Sequence, residues 1–423
     1  MSGNRIREII IKKKAQEEIP ALLKRLTKER KVYLIVDNNT YSAAGSSVST
    51  ELKRTGFQVE EVFLRGDKIV ANTDYFFKLL KELRRDGYLL ACGSGTINDL
   101  TRFVSFKLEI PYLITATAPS MDGYASHVSP ITVDGVKETY NAVTPEVIVA
   151  DLDVLRKAPW EMIQAGFGDL LGKISALLDW KLSNILFDIE LNQEAISLVE
   201  GELKRLIALR GELKSRTPES IEALTKGLVN SGIAMQIVGN SRPASGAEHH
   251  ISHFLEMYGE LYDEELPPHG IKVALGEYFA SRLYSKLYEL DFAGLENVDN
   301  YEKRRERIRE NYLDRSVPVL ETLDNRWDEY QLDIELLKRK EKEIKSMIEE
   351  NMEYLQGVGG YLRETGIIER EDIRSIDREW LLKAVQSSFE IRNRYTVAVL
   401  LDQVGFLEEW SYELVDDFLR LIS

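Results

Sequence analysis

The sequence predicts a chain in two parts, an α/β amino-terminal domain of the doubly wound, Rossmann-like type over residues 1–158 and an all-α carboxy-terminal domain over 159–423. Three observations predict it. Up to residue 158, short apolar runs alternate with segments of helical periodicity, the pattern of a parallel sheet covered by helices. Within Tyr88 to Ser126 a glycine turn, Gly93-Ser94-Gly95, separates an apolar run from a helix pattern. From Trp160 onward almost every segment repeats its apolar residues at helical spacing, as in Trp160 to Leu182, Ile189 to Ala208, Ile221 to Ile237 and Ala247 to Tyr258.

Taken in order, Lys31 to Val36 (KVYLIV) reads as a buried strand that ends at Asp37. Asn39 or Thr40 then caps a helix from Tyr41 to about Arg54, closed by Gly56. Phe57 to Leu64 is the second strand, and Thr73 caps a helix from Asp74 to Asp86 that Gly87 stops. Tyr88 to Cys92 is the third strand, and Ile97, Leu100, Phe103, Val104 and Leu108 mark the helix after the glycine turn. At that helix start Thr96, Ile97, Asn98 and Asp99 are expected to present free amide N–H groups, where a pyrophosphate is favoured. The same glycines also suit a plain tight turn.

Pro111 opens another apolar run, Tyr112 to Ala116, ending in Thr117-Ala118-Pro119-Ser120. Two strand ends thus set polar loops on one edge of a parallel sheet, where such sheets bind ligands. Asp37 at a strand end suits a ligand to ribose hydroxyls that repels a 2′-phosphate, and equally a helix-capping aspartate. The glycines follow it by 56 positions (93 − 37). In the standard dinucleotide fingerprint the acid comes about 20 residues after them, so that fingerprint is absent. Asp134-Gly135 reads as the two-residue turn of a hairpin within Val128 to Ala150, and Pro159 closes the region. Alternating charges over Asp328 to Leu355 mark a solvated helix face or an antiparallel helix pair, ended by Gly357, Gly359 and Gly360.

With 55 Lys and Arg against 70 Asp and Glu, the net charge of −15 opposes nucleic-acid phosphate and anionic membrane alike. The single cysteine, Cys92, excludes an intrachain disulfide framework and a cysteine-based zinc site, which suits the cytoplasm. The start MSGNRIREIIIKKKAQEE is no secretory signal, and no apolar run of ~18 residues predicts membrane insertion.

Four of the five histidines, His249, His250, His253 and His269, lie within 21 positions. His249 and His253 are four apart on a helix pattern and so share a face; His269 follows Pro267-Pro268 at a helix start, from which the chain could turn back toward that face. Asp169 in Gly166-Phe167-Gly168-Asp169 offers a carboxylate. Three protein ligands and an open position describe a Lewis-acid site that polarises a carbonyl. Core or surface histidines remain the alternative.

GSGTINDL (93–100), TAPSMDGYAS (117–126), GFGDLLGK (166–173), SRPASGAEHHISH (241–253) and PPHGIKVALG (267–276) resemble the motifs of sn-glycerol-1-phosphate dehydrogenases, most of all the bacterial AraM type. These belong to the superfamily of iron-containing alcohol dehydrogenases and dehydroquinate synthase. The resemblance spans Lys31 to Gly276, and it implies a dehydroquinate synthase-like fold with a helical carboxy-terminal domain.

It also implies metal ligands at Asp169, His249 and His269, holding one divalent ion, Zn2+ or Ni2+. NAD(H), or NADP(H), would meet Gly95, Thr96, Ile97, Asn98 and Asp99, then Thr117, Ala118, Pro119, Ser120 and Ser126, with Asp37 at the adenosine ribose. Asp122 and His253 are the implied catalytic and substrate contacts, together with Asp169. His250 is an alternative ligand, and His127 is left to a structural role. Arg242 and Lys173 are the candidate cations for a substrate phosphate.

The implied reaction is the reversible reduction of dihydroxyacetone phosphate to sn-glycerol 1-phosphate, a small phosphorylated triose substrate, by a homodimer or larger homo-oligomer. Glycerol dehydrogenase on the unphosphorylated triol, a dehydroquinate synthase-like lyase and a metal-free nucleotide-binding regulator are the other readings. The first is distinguished by whether cations from Arg242 or Lys173 line the pocket, since the unphosphorylated triol needs none, and the last by its lack of metal ligands.

Overall fold

The computed structural model describes residues 6–66, 69–133 and 136–423. Packing divides the chain into two units, one made of residues up to Gly166 with Lys204–Ile237, the other of Phe167–Leu203 with Val238–Ser423.

The first unit is built on a six-stranded sheet. Its strands are β1 (Glu8–Lys12), β2 (Lys31–Val36), β3 (Gln58–Phe63), β4 (Tyr88–Gly93), β5 (Tyr112–Ala116) and β8 (Val147–Asp151). They lie in the order β1-β8-β5-β4-β2-β3, all parallel. Every residue of β4, β5 and β8 is buried, because helices cover both faces of the middle of the sheet, whereas β3 at the edge alternates. Ile10, Leu22, Val32, Leu34, Leu90, Leu113 and Val149 share one apolar core.

The direction of winding reverses between β2 and β4. From β2 the chain steps outward to β3, then returns to the other side of β2 for β4. The carboxyl ends of these two neighbours are therefore the switch point at which open α/β sheets bind ligands, and they carry Asp37 and Gly93. β1, unread in the sequence, joins the far edge beside β8. Its EIIIK has the apolar run of a strand but stands alone before the first strand–helix repeat.

A separate antiparallel pair, β6 (Val128–Val133) and β7 (Val136–Asn141), forms the expected hairpin; its turn, Asp134-Gly135, lies outside the described residues.

Several expected boundaries move. The cap after β2 is Asp37, not Asn39 or Thr40: its Oδ1 accepts from the Thr40 amide at 2.7 Å, while the Thr40 hydroxyl accepts from the Asp37 amide at 3.0 Å. Asn72 rather than Thr73 caps the next helix, Thr73–Glu82, which ends short of Asp86.

The Trp160 to Leu182 pattern breaks at Gly172 into helices Trp160–Leu171 and Lys173–Phe187. Gly357, Gly359 and Gly360 do not end their segment; the helix Met352–Glu364 runs through all three toward Gly366, whose φ of 68° suits glycine at a helix end. That helix packs on His269–Glu289, and tertiary burial outweighs the low helix propensity of glycine. No helix among the described residues is long and apolar enough to cross a membrane.

Candidate active site

In the second unit, three helices bring the candidate ligands together: Asp169 stands near the end of Trp160–Leu171, His249 and His253 on Ala247–Tyr262, and His269 at the start of His269–Glu289. Glycine permits the approach. A Cβ on Gly168 would lie 2.2 Å from the Gly270 carbonyl oxygen, and one on Gly276 2.2 Å from that of Glu248, so the helices touch at backbone where the site is assembled.

Asp169, His249 and His269 present ligand atoms within 4.8 Å of one another. His249 Nε2 stands 3.7 Å from Asp169 Oδ1. Each of these imidazoles is tethered by its other nitrogen, His249 Nδ1 to Glu248 Oε1 at 2.7 Å and His269 Nδ1 to Glu256 Oε1 at 2.8 Å. A carboxylate on Nδ1 holds the proton there and leaves Nε2 as the lone-pair nitrogen, the arrangement that orients imidazole toward a metal. Two imidazoles and a carboxylate suit zinc or nickel, so the residues present fit a divalent ion.

Burial pushes the Glu248 carboxyl up to about 7, against the pull of the Gly246 amide and Ser175. A second group, His253, Glu256 and His269, shares His269. The His253 ring lies 5.9 Å from that of His249 and 5.6 Å from that of His269, and burial, then Arg392, holds its pKa well below the ordinary value.

His250 enters neither metal-capable group. Its ring nitrogens are buried without a hydrogen-bond partner among the described residues, and burial followed by Arg394 and Arg392 keeps it neutral. Lys173 is no open phosphate cation: it is fully buried, and its Nζ donates to Asp169 Oδ1 at 2.8 Å and to the Ala244 carbonyl at 2.9 Å. Arg242 is half-buried, with Nη2 3.4 Å from the Tyr330 hydroxyl and Nη1 buried without a partner among the described residues.

In the first unit, the helix Gly95–Leu108 begins at the glycine turn with Ser94 as its cap residue. The Asn98 amide already donates to Ser94 O at 3.0 Å, so the amides outside the helical ladder are those of Gly95, Thr96 and Ile97, not of Asn98 and Asp99. The side chains of those two turn to structure. Asn98 Oδ1 accepts from the Tyr112 hydroxyl at 3.2 Å, and Asp99 Oδ1 pairs with Arg102 at 2.8 Å.

Arg102, fully buried, also donates to the carbonyls of Val128, Gly123 and Tyr124, stapling the 123–128 loop to the helix. Thr117 donates its amide to Gly93 O at 3.1 Å, Ala118 accepts from the Tyr124 hydroxyl at 2.6 Å, and Pro119 and Ser120 follow in the same loop at the end of β5. Ser126 Oγ accepts from the Val128 amide at 3.1 Å, and Asp122 Oδ2 accepts from Ser231 at 2.8 Å. His127 is partly buried, its pKa lowered by burial and then by Arg102.

The model for "Iron-containing alcohol dehydrogenase" matches residues 10–159. A curated glycerol-1-phosphate dehydrogenase [NAD(P)+] of Bacillus subtilis (strain 168) is 34% identical over 314 residues, covering 73% of this chain and 78% of that protein. The chain belongs to the glycerol-1-phosphate dehydrogenase family. The counterpart from Halalkalibacterium halodurans is 37% identical over 286 residues, 66% of this chain and 72% of that protein, and the one from Pyrococcus horikoshii 33% over 280 residues, 66% and 78%.

Among solved structures, a probable glycerol dehydrogenase from Sinorhizobium meliloti 1021 matches with a TM-score of 0.61 at 15% identity, covering 96% of this chain and 98% of that one. An iron-containing alcohol dehydrogenase from Thermococcus thioreducens matches at 0.58 and 15%, covering 99% and 98%. These likenesses establish the fold of the family member described here: a parallel α/β part followed by helices.

Sequence reasoning missed the two tethering carboxylates and the arginines Arg392 and Arg394. Glu248 directly precedes His249, and Glu256 is three residues after His253 on the same helix, so helical spacing was the available signal for the second. Nothing local marks Arg392-Asn393-Arg394.

Proposed function

We propose that this protein reduces dihydroxyacetone phosphate reversibly to sn-glycerol 1-phosphate with NAD(P)H. The observation that supports this most is the trio Asp169, His249 and His269 with both imidazoles tethered through Nδ1, in a chain 34% identical to a curated glycerol-1-phosphate dehydrogenase. A divalent ion, Zn2+ or Ni2+, held by that trio would supply Lewis-acid polarisation of the substrate carbonyl, and the nicotinamide the hydride.

The chain's own residues do the rest. Glu248 and Glu256 fix the imidazoles, and Lys173 holds Asp169 in place. His253, neutral in its buried setting, donates a ring N–H hydrogen bond to the substrate oxygen and relays the proton, taking one from solvent at its other ring nitrogen as it releases the first; Asp122, set by Ser231, orients a substrate hydroxyl. The amides of Gly95, Thr96 and Ile97 receive the dinucleotide phosphates, and the Thr117–Ser120 loop and Ser126 line the same ligand. In this reading residues 1–158 bind the dinucleotide and supply Asp122, and 159–423 bind the metal and substrate, in a cytoplasmic homo-oligomer.

The deciding assay is NADH oxidation with dihydroxyacetone phosphate against dihydroxyacetone, on metal-stripped and reconstituted protein. Activity on the phosphorylated substrate that vanishes with the metal and returns with Zn2+ or Ni2+ supports the reading. Equal rates on both substrates, or full activity in stripped protein, refute it.

Two variants test parts of it. Asp37→Ser keeps a capping oxygen but removes the carboxylate that would meet the ribose, so preference is expected to move toward NADPH with Tm little changed. An unchanged NADH to NADPH ratio of kcat/KM would remove Asp37 from cofactor selection. Glu256→Gln loses the charged acceptor on His269 Nδ1, and metal affinity is expected to fall about 10–100-fold, read by competition with a chelator. Unaltered affinity would mean that the tether does not serve the metal.

A further inference from the structure

Three guanidinium groups of the second unit have no task in the scheme above. Arg242 lies in the loop before the Ala247–Tyr262 helix; Arg392 and Arg394 follow the short turn Ser388–Ile391, which packs on that same helix. Several other sheltered arginines of this acidic chain have carboxylate partners, whereas Arg156 and Arg216 bond to each other's backbone carbonyls. Arg304 forks onto Glu390 at 2.6 and 2.7 Å, Arg307 meets Asp402 at 2.8 Å, and Arg102 meets Asp99 at 2.8 Å.

Arg242, Arg392 and Arg394 make no ion pair with a carboxylate among the described residues. The Arg394 guanidinium bonds, among the described residues, to oxygens of the loop: the Ser241 carbonyl at 3.3 Å, Ser241 Oγ at 3.0 Å and the Ser245 carbonyl. The Arg392 guanidinium makes no hydrogen bond among the described residues, although its backbone carbonyl accepts from the Arg394 amide at 2.8 Å. The acid whose charge bears on it, Glu256, is already engaged by His269 at 2.8 Å and Lys272 at 3.7 Å.

The cluster borders the candidate metal centre. Arg394 holds the loop at Ser241 and Ser245, and Lys173 holds it at Ala244 while bonding Asp169. Arg392 bears on the ring of His253, 5.9 Å from that of His249. Burial, then repulsion from Arg392 and Arg242, pushes the Arg394 guanidinium down to about 9. Clustered cations without a counter-charge are costly in a half-buried setting unless an anion joins them. An open cleft lined by Arg392, Arg394 and Tyr330 reaches the cluster, and Tyr330 is also the partner of Arg242.

We infer that Arg242, Arg392 and Arg394 form the subsite for the substrate's phosphate monoester, so that the carboxy-terminal helices select phosphorylated over free substrate. Planar guanidinium forks suit phosphate oxygens, and a dianion supplies the charge the three lack. The identity of the phosphate-bearing molecule rests on the proposed function; the anion subsite rests on the cluster itself.

The test titrates inorganic phosphate into metal-loaded, NADH-saturated protein and, in parallel, measures its competition with dihydroxyacetone phosphate. Arg392→Gln and Arg242→Gln are each expected to weaken phosphate binding and raise KM for dihydroxyacetone phosphate by about 10–100-fold, with metal content kept in both and activity on dihydroxyacetone kept in Arg242→Gln. Arg392→Lys should recover part of the loss. Arg394 also clamps the loop, so its variants are not relied on. Phosphate binding and KM unchanged in both Gln variants would overturn the subsite while leaving the reaction intact. Phosphate binding lost in the variants of a protein that reduces dihydroxyacetone equally well would uphold the subsite and refute the proposed substrate.

Discussion

His269→Ala is expected to leave the protein without bound metal and without turnover, while the fold persists. The residue is the first of its helix, half-exposed, and its ring is held by Glu256 from one side, so its removal takes away a ligand without emptying the core. A two-ligand remnant of Asp169 and His249 lacks the three protein donors of an open Lewis-acid site. The loss in metal affinity should exceed the ~100-fold that removing a tethering partner produces. Metal analysis after dialysis, circular dichroism and NADH oxidation check it together. Stoichiometric metal and a normal rate would show that the ligand set is wrong, and the group His253, Glu256 and His269 would fail with it, since it contains the same residue.

Gly168→Ala is expected to be, with Gly276→Ala, among the most damaging single methyl groups in the second unit. The added carbon would lie 2.2 Å from the Gly270 carbonyl oxygen and 2.8 Å from the Ala274 Cβ, atoms of a packed helix with no flexible side chain to swing away. Overpacking ordinarily costs about 1–3 kcal/mol, and two rigid obstacles place this case at the upper end. The corresponding fall in Tm is roughly 6 °C or more.

Because Gly168 and Gly270 adjoin Asp169 and His269, metal affinity should fall with stability. The same change at Gly201, an exposed helical position with nothing within 4 Å of the added carbon, is expected to be neutral or stabilising by up to about 1 kcal/mol. Equal Tm values for the two variants would mean that the helices do not meet at Gly168 as described.

How much of this was legible beforehand depended on how far apart the deciding partners lie. The central strands and the helix after the glycine turn were readable because period and burial are local properties of a few residues. His249 and His253 could be placed on one face from their spacing alone. The cap of the helix after β2 was misread by two or three positions, since Asp37, Asn39 and Thr40 all suit a cap and only the backbone path selects among them. Gly357, Gly359 and Gly360 read as a stop because propensity is local, while the packing of their helix on His269–Glu289 is not.

By itself, then, the sequence determined the strand and helix alternation, the glycine turn, the histidine-bearing helix and the family motifs up to Gly276. Only the tertiary structure decided that β1 closes the sheet beside β8, that Lys173 is consumed by Asp169, and that Arg394 meets Ser241 across 153 positions. The physical reason is that a charge or a strand edge takes its meaning from its partner. Where that partner arrives from a distant segment, no local period or spacing records it, and the energy of burying the pair appears only once the core brings them together.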